Sequence, residues 1–137
     1  MKISLSRIII FRILTVIYIV AVAYLCFANF NRVSEFQKFF LGLPTDKIVH
    51  FCMFAPFPVM AFFSYDKATD TVLKAVAAVI VILSVGIIFA GLTEVIQGSL
   101  PYRTQDMGDF KADCLGMILS ATAVLAYDIY KIKKDIQ

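Results

Sequence analysis

The stretch TDKIVHFCMFAPFPVMAFFSY sets Asp46, Lys47 and His50, the chain's only histidine, at the edge of an apolar run. Two further stretches, TEVIQ and RTQDMGDFKADCLG, place Glu94, Gln97, Arg103, Asp109 and Asp113 at the edges of other apolar runs. Helix positions three or four apart share a face. Asp46 and His50 are i,i+4, as are Asp109 and Asp113; Lys47 and His50 are i,i+3, as are Glu94 and Gln97. A histidine, with an unperturbed pKa of about 6.5, suits general acid or base work. Carboxylates can tune it or hold a divalent cation through oxygen, while Arg and Lys can hold a phosphate or carboxylate. His50, Glu94, Asp109 and Asp113 are therefore the candidate catalytic residues. Lys47, Arg103, Gln97 and Asp46 are the candidate substrate-binding residues, and Glu94, Asp109 and Asp113 the ligands should a divalent cation bind. The chemistry these types allow is hydrolysis or group transfer at a phosphate or acyl centre. No serine or cysteine nucleophile stands out.

The elements that position these groups follow from composition. Hydrophobic residues make up 61% of the 137 and charged residues 17%, against about 45–50% and 25% in soluble domains. A core of this size cannot hide that excess, so lipid must cover much of it. We expect an all-α integral membrane four-helix bundle, one domain over 1–137, with spans at about 10–29, 47–65, 73–97 and 109–130. The run ILTVIYIVAVAYLCFAN also imitates a signal peptide, with AVA as a cleavage site, but its length favours an uncleaved first span. Residues 29–45 connect the first two spans. Phe36, Phe39 and Phe40 there either line one face of a short amphipathic helix on the bilayer or belong to a plain loop. Cys26, Cys52 and Cys114 lie inside apolar runs and read as small buried hydrophobes rather than a disulfide or metal framework. No basic run interleaved with aromatics suggests nucleic-acid binding.

Orientation follows from lysines and arginines near the span ends. One side collects Lys2, Arg7, Arg12, Lys67, Lys74, Lys131, Lys133 and Lys134; the other has Arg32, Lys38, Lys47, Arg103 and Lys111. Both termini are expected in the cytoplasm. Length then places the ionisable groups. A span needs about 20 residues, and Phe51–Tyr65 and Cys114–Tyr127 are shorter than that. His50, Asp113 and Asp109 are thereby drawn into the spans, and Glu94 falls at the same extracytoplasmic depth. Charged groups there are costly facing lipid, so they should turn inward into a polar pocket between the second, third and fourth spans. Pro56 and Pro58 deprive the carbonyls of Cys52 and Phe54 of backbone donors, predicting a kink beneath His50.

Taken in order, DKIVHF, EVIQ and RTQDMGDFKADCLG resemble the VanZ-like family of small membrane proteins. Asp46, Lys47, His50, Phe51, Glu94, Gln97, Arg103, Asp109 and Gly116 stand at matching positions, over about residues 44–120. Asp113 stands where the family usually has Asn, which adds an ionisable group and favours metal binding or proton handling. The resemblance implies a multi-helix protein of a bacterial cytoplasmic membrane, linked through the family's namesake to teicoplanin resistance. Membrane lipid, a lipid-linked cell-wall precursor or a glycopeptide are the partners it suggests. Four readings stay open: an enzyme at the outer membrane surface, a non-catalytic binder of a head group, precursor or glycopeptide, a carrier, or an interhelical network with a structural role.

Overall fold

A computed structural model describes residues 5–29, 39–40, 43–65 and 69–136. In chain order these form α1 (Leu5–Phe27), β1 (Phe39–Phe40), β2 (Leu43–Pro44), α2 (Thr45–Phe54), α3 (Phe57–Ser64), α4 (Val72–Gly98) and α5 (Met107–Ile136). α1, α4, α5 and the paired stretch Thr45–Ser64 are each long and apolar enough to cross a membrane. Consecutive stretches run antiparallel. Arg12 near the start of α1 donates to the Ser64 carbonyl at the end of α3, and the Tyr18 hydroxyl donates to the carbonyl of Met53.

The boundaries differ from the expected spans in instructive ways. α5 runs on past Tyr130 through KIKKDI, because helix propensity does not stop at the hydrocarbon edge and Lys133 and Lys134 suit the negative end of the helix dipole. The second span is two helices. Pro56 cannot donate to Cys52, so α2 stops at Phe54; a proline then sits in the first turn of α3, where a missing N–H costs nothing. His50 lies one turn from that break. Phe39–Phe40 pair antiparallel with Leu43–Pro44, so the amphipathic helix considered for this connection is not formed at Phe39 and Phe40; Phe36 lies outside the described residues.

The core is thin. Val22, Cys26, Phe54, Phe57, Ala90 and Met117 form its main cluster, and Val79, Ala121 and Val124 a second. Backbones carry part of the packing. A Cβ on Gly116 would stand 2.6 Å from the Phe51 carbonyl oxygen, so α5 lies against the backbone of α2. Outside, the helices are oily: Val16, Ile17 and Val20 on α1 and Val81, Val85 and Ile88 on α4 are exposed. Apolar surface that extensive needs cover, and the four helices fit integral membrane localisation. All three cysteines are free; Cys26 is in the core, whereas Cys52 faces outward.

Candidate functional site

Three helix ends meet at one end of the bundle: the start of α2, the end of α4 and the start of α5. Asp106 sets where α5 begins. Its Oδ1 accepts from the Gly108 N–H at 2.6 Å and its carbonyl accepts from Asp109 N at 3.0 Å, the work of an N-cap. Glu94 Oε2 accepts from Asp106 N at 3.1 Å and so ties the last turn of α4 to that cap. From α2, Lys47 Nζ donates to Asp106 Oδ2 at 2.7 Å and Asp109 Oδ1 at 3.1 Å, with Asp46 Oδ2 at 3.7 Å. One ammonium thus serves three carboxylates.

Deeper in, His50 lies among three more contacts. Its Nδ1 is 3.0 Å from Asp113 Oδ1 and 4.0 Å from Glu94 Oε1, and its Nε2 is 3.7 Å from Asp109 Oδ2. An ionised carboxylate only accepts, so with Asp113 ionised the Nδ1–H donates to it, and a neutral ring then has its lone pair on Nε2, the nitrogen nearer Asp109. Side-chain exposure falls along the series from 45% at Asp106 and 33% at Lys47 to 12% at Asp109, 8% at His50, 3% at Glu94 and none at Asp113. The polar residues therefore run from the surface into the bundle as one connected ladder.

The charge on this ladder is lopsided. Asp46, Glu94, Asp106, Asp109 and Asp113 face Lys47 and His50. Lys47 relieves the outer part, and together with the Gly108 N–H it holds the Asp106 carboxyl below the usual carboxylate range. Further in, the imidazole of His50 stands among Glu94, Asp109 and Asp113. Glu94 and Asp109 present donor atoms within 4.8 Å of each other and of His50, and two ionised groups at that spacing repel by about 3–4 kcal/mol at an effective dielectric of roughly 20. Oε1 of Glu94 and Oδ2 of Asp113 are buried and have no hydrogen-bond partner among the described residues. Such a set favours positive charge at its centre, as a proton shared with His50 or as a cation.

Gln97 and Arg103 serve a second feature. Gln97 Nε2 donates to the Cys26 carbonyl at 2.9 Å, and Arg103 Nη2 to those of Leu25 and Ala28 at 3.2 Å each. The Tyr102 hydroxyl donates to Phe27 at 3.0 Å. These carbonyls end α1 and lack helical donors, so the loop after α4 clasps the end of the first helix. Of the residues singled out in the sequence, His50, Glu94, Asp109 and Asp113 come together around the imidazole, with Lys47 and Asp46 at its mouth. His50, Glu94 and Asp109 bring donor atoms within 4.8 Å of one another; Asp113 and Glu94 lie by Nδ1, at 3.0 and 4.0 Å, and Asp109 by Nε2 at 3.7 Å. Sequence reasoning passed over Asp106 and Tyr102. Asp106 carried a legible signal, an aspartate directly before the helix start and i,i+3 from Asp109; nothing marked Tyr102.

Comparison of the chain with family models, with curated proteins and with solved structures finds no match to any of them.

Proposed function

We propose that this is an integral membrane protein with both termini in the cytoplasm, whose His50 cluster works at the extracytoplasmic face on a lipid-linked or cell-envelope substrate. One observation carries the reading: the only histidine is buried among carboxylates from two other helices, at one end of a bundle with an apolar exterior. Asp113 orients the ring, and Nε2 is the atom that takes or gives a proton during hydrolysis or group transfer at a phosphate or acyl centre. Asp109 and Glu94 stabilise the imidazolium when it forms. The resemblance of DKIVHF, EVIQ and RTQDMGDFKADCLG to the VanZ-like family supports a cell-envelope substrate and a link to glycopeptides such as teicoplanin.

A purely binding role would rest on Lys47 and Arg103 holding an anion. Both already donate to protein acceptors, which favours chemistry at His50 over capture by those two cations. The test replaces His50 by Gln, Glu94 by Gln and Asp109 by Asn, one at a time, in a glycopeptide-susceptible host. Loss of teicoplanin tolerance at unchanged membrane abundance is the expected result. Full tolerance in His50→Gln would sink the proposal, and falling abundance in all three would make the cluster a structural network.

A further inference from the structure

We infer that His50, Glu94 and Asp109 form a binding site for one divalent transition cation, and that Asp113 positions the His50 ring for it. The inference refines the function proposed for this cluster and rests on its reading as a site. With a cation held there, Nε2 would be a ligand rather than the proton carrier, and the work at a phosphate or acyl centre would pass to the cation. The binding itself needs no substrate. Three helices each supply one donor atom, and the three atoms lie within 4.8 Å of one another. His50 Nε2 and Asp109 Oδ2 are 3.7 Å apart; an ion about 2.1 Å from each would subtend roughly 120° between them, within the range of a four- or five-coordinate site. Glu94, whose Oε1 lies 4.0 Å from the ring's Nδ1, would complete the set by turning about its soft terminal torsion towards the Nε2 side.

A second and independent observation points to a ligand. Glu94 is 2% exposed, and its Oε1, 4.0 Å from the His50 ring, has no hydrogen-bond partner among the described residues. A buried carboxylate oxygen left so is costly, and a cation between Glu94, Asp109 and His50 would meet that need. The other ring nitrogen repeats an arrangement common at metal centres, in which a carboxylate accepts the N–H of a ligating histidine and fixes its tautomer. Asp113 Oδ1 does this at 3.0 Å, a role that differs from the ligand role its sequence position suggested.

A competing set of acids lies outside. Asp46, Asp106 and Asp109 also bring donor atoms within 4.8 Å of one another. Their cation is already present, because Lys47 Nζ reaches all three. In the inner set Lys47 meets Asp109 through Oδ1 at 3.1 Å, while Asp109 Oδ2 and Glu94 Oε1 are that set's oxygens nearest the His50 ring. The inner set's one imidazole nitrogen and two carboxylates suit Mn²⁺, Co²⁺ or Zn²⁺ better than Mg²⁺ or Ca²⁺, which prefer oxygen throughout.

The test uses the purified full chain in detergent micelles, titrated with Co²⁺ by visible absorption and with Zn²⁺ by calorimetry. About one equivalent should bind, and a similar concentration of Mg²⁺ should not displace it. His50→Gln and Glu94→Gln should lose this binding. Asp113→Asn should keep the stoichiometry and weaken affinity about 10–100-fold, while Asp70→Asn, an exposed acid paired with Lys74 just before α4, should leave it unchanged. Thermal unfolding of each variant without metal checks that it is folded. If His50→Gln does not fold, the wild-type protein loaded with Mn²⁺ decides, since its electron spin resonance must show coupling to an imidazole nitrogen. Absence of that coupling, absence of saturable binding, or binding unaffected by His50→Gln (capture by the exposed Cys52 or the outer acids) overturns the inference. Metal binding with no change in glycopeptide tolerance in the His50 variant would sink the proposed function and leave the cation site standing.

Discussion

Lys47 is the residue on which the mouth of the cluster depends. Its side chain comes from α2, yet two of its three carboxylate partners belong to the α4–α5 junction. The pairing of Lys47 with Asp106 should appear in the response to acid. Asp106 titrates lower when folded than an ordinary aspartate, because the ammonium and the Gly108 N–H favour its charged form. A depressed folded value means that the stabilisation is complete above the unfolded carboxylate range, near 4, and is lost as pH falls through the folded value. Thermal midpoints in detergent, taken from pH 7 downwards, should therefore fall more steeply below about 4 in the wild type than in Lys47→Met. Equal slopes would show that the pair contributes nothing. Asp106 is well exposed, so the difference should be modest and shrink in high salt.

At the scale of elements, the contact that sets the site is backbone to backbone. α5 can bring Asp109 and Asp113 to His50 only because Gly116 lets it rest on the Phe51 carbonyl. Gly116→Ala would put a Cβ 2.6 Å from that oxygen, and a helix backbone cannot yield as a flexible side chain can. The expected loss is about 1–3 kcal/mol, as for other overpacked sites, even though alanine is the better helix former. Gly91 on α4 is the control, because a Cβ there meets only Phe110 Cε2, at an ordinary 3.8 Å. Unfolding in detergent should show Gly91→Ala as stable as the wild type or more so, and Gly116→Ala clearly less. The break after Phe54 was legible in Pro56 and Pro58, whereas the facing backbone of Gly116 was not, since close approach belongs to two helices and is encoded in neither alone.

For the molecule as a whole, the decisive property is its outer surface. Large apolar side chains such as Leu73, Leu119 and Val20 are more than 60% exposed, and each stretch suited to crossing a membrane has at most 33% of its apolar window buried by the protein. Surface of that kind stays associated with acyl chains whatever the ionic conditions. The protein should sediment with membranes, resist extraction by high salt and by alkaline carbonate, and dissolve in mild detergent. Release by carbonate would show that these helices do not span.

The four apolar stretches, and the placing of His50, Glu94, Asp109 and Asp113 at their ends, were determined by sequence alone, because hydrocarbon thickness and helical rise turn counts of residues into depth. Spacing also put Asp109 and Asp113 on one face. What no count could supply was the division of labour. Asp113 orients one nitrogen of the ring while Asp109 faces the other, Lys47 closes the outer acids, and Arg103 and Gln97 turn aside to hold the end of α1. Those choices depend on distances between helices and on which carbonyls a neighbouring helix end leaves unpaired. Only the packed bundle decides them, since hydrogen bonds and ion pairs are settled over a few ångströms whereas sequence patterns specify faces and depths.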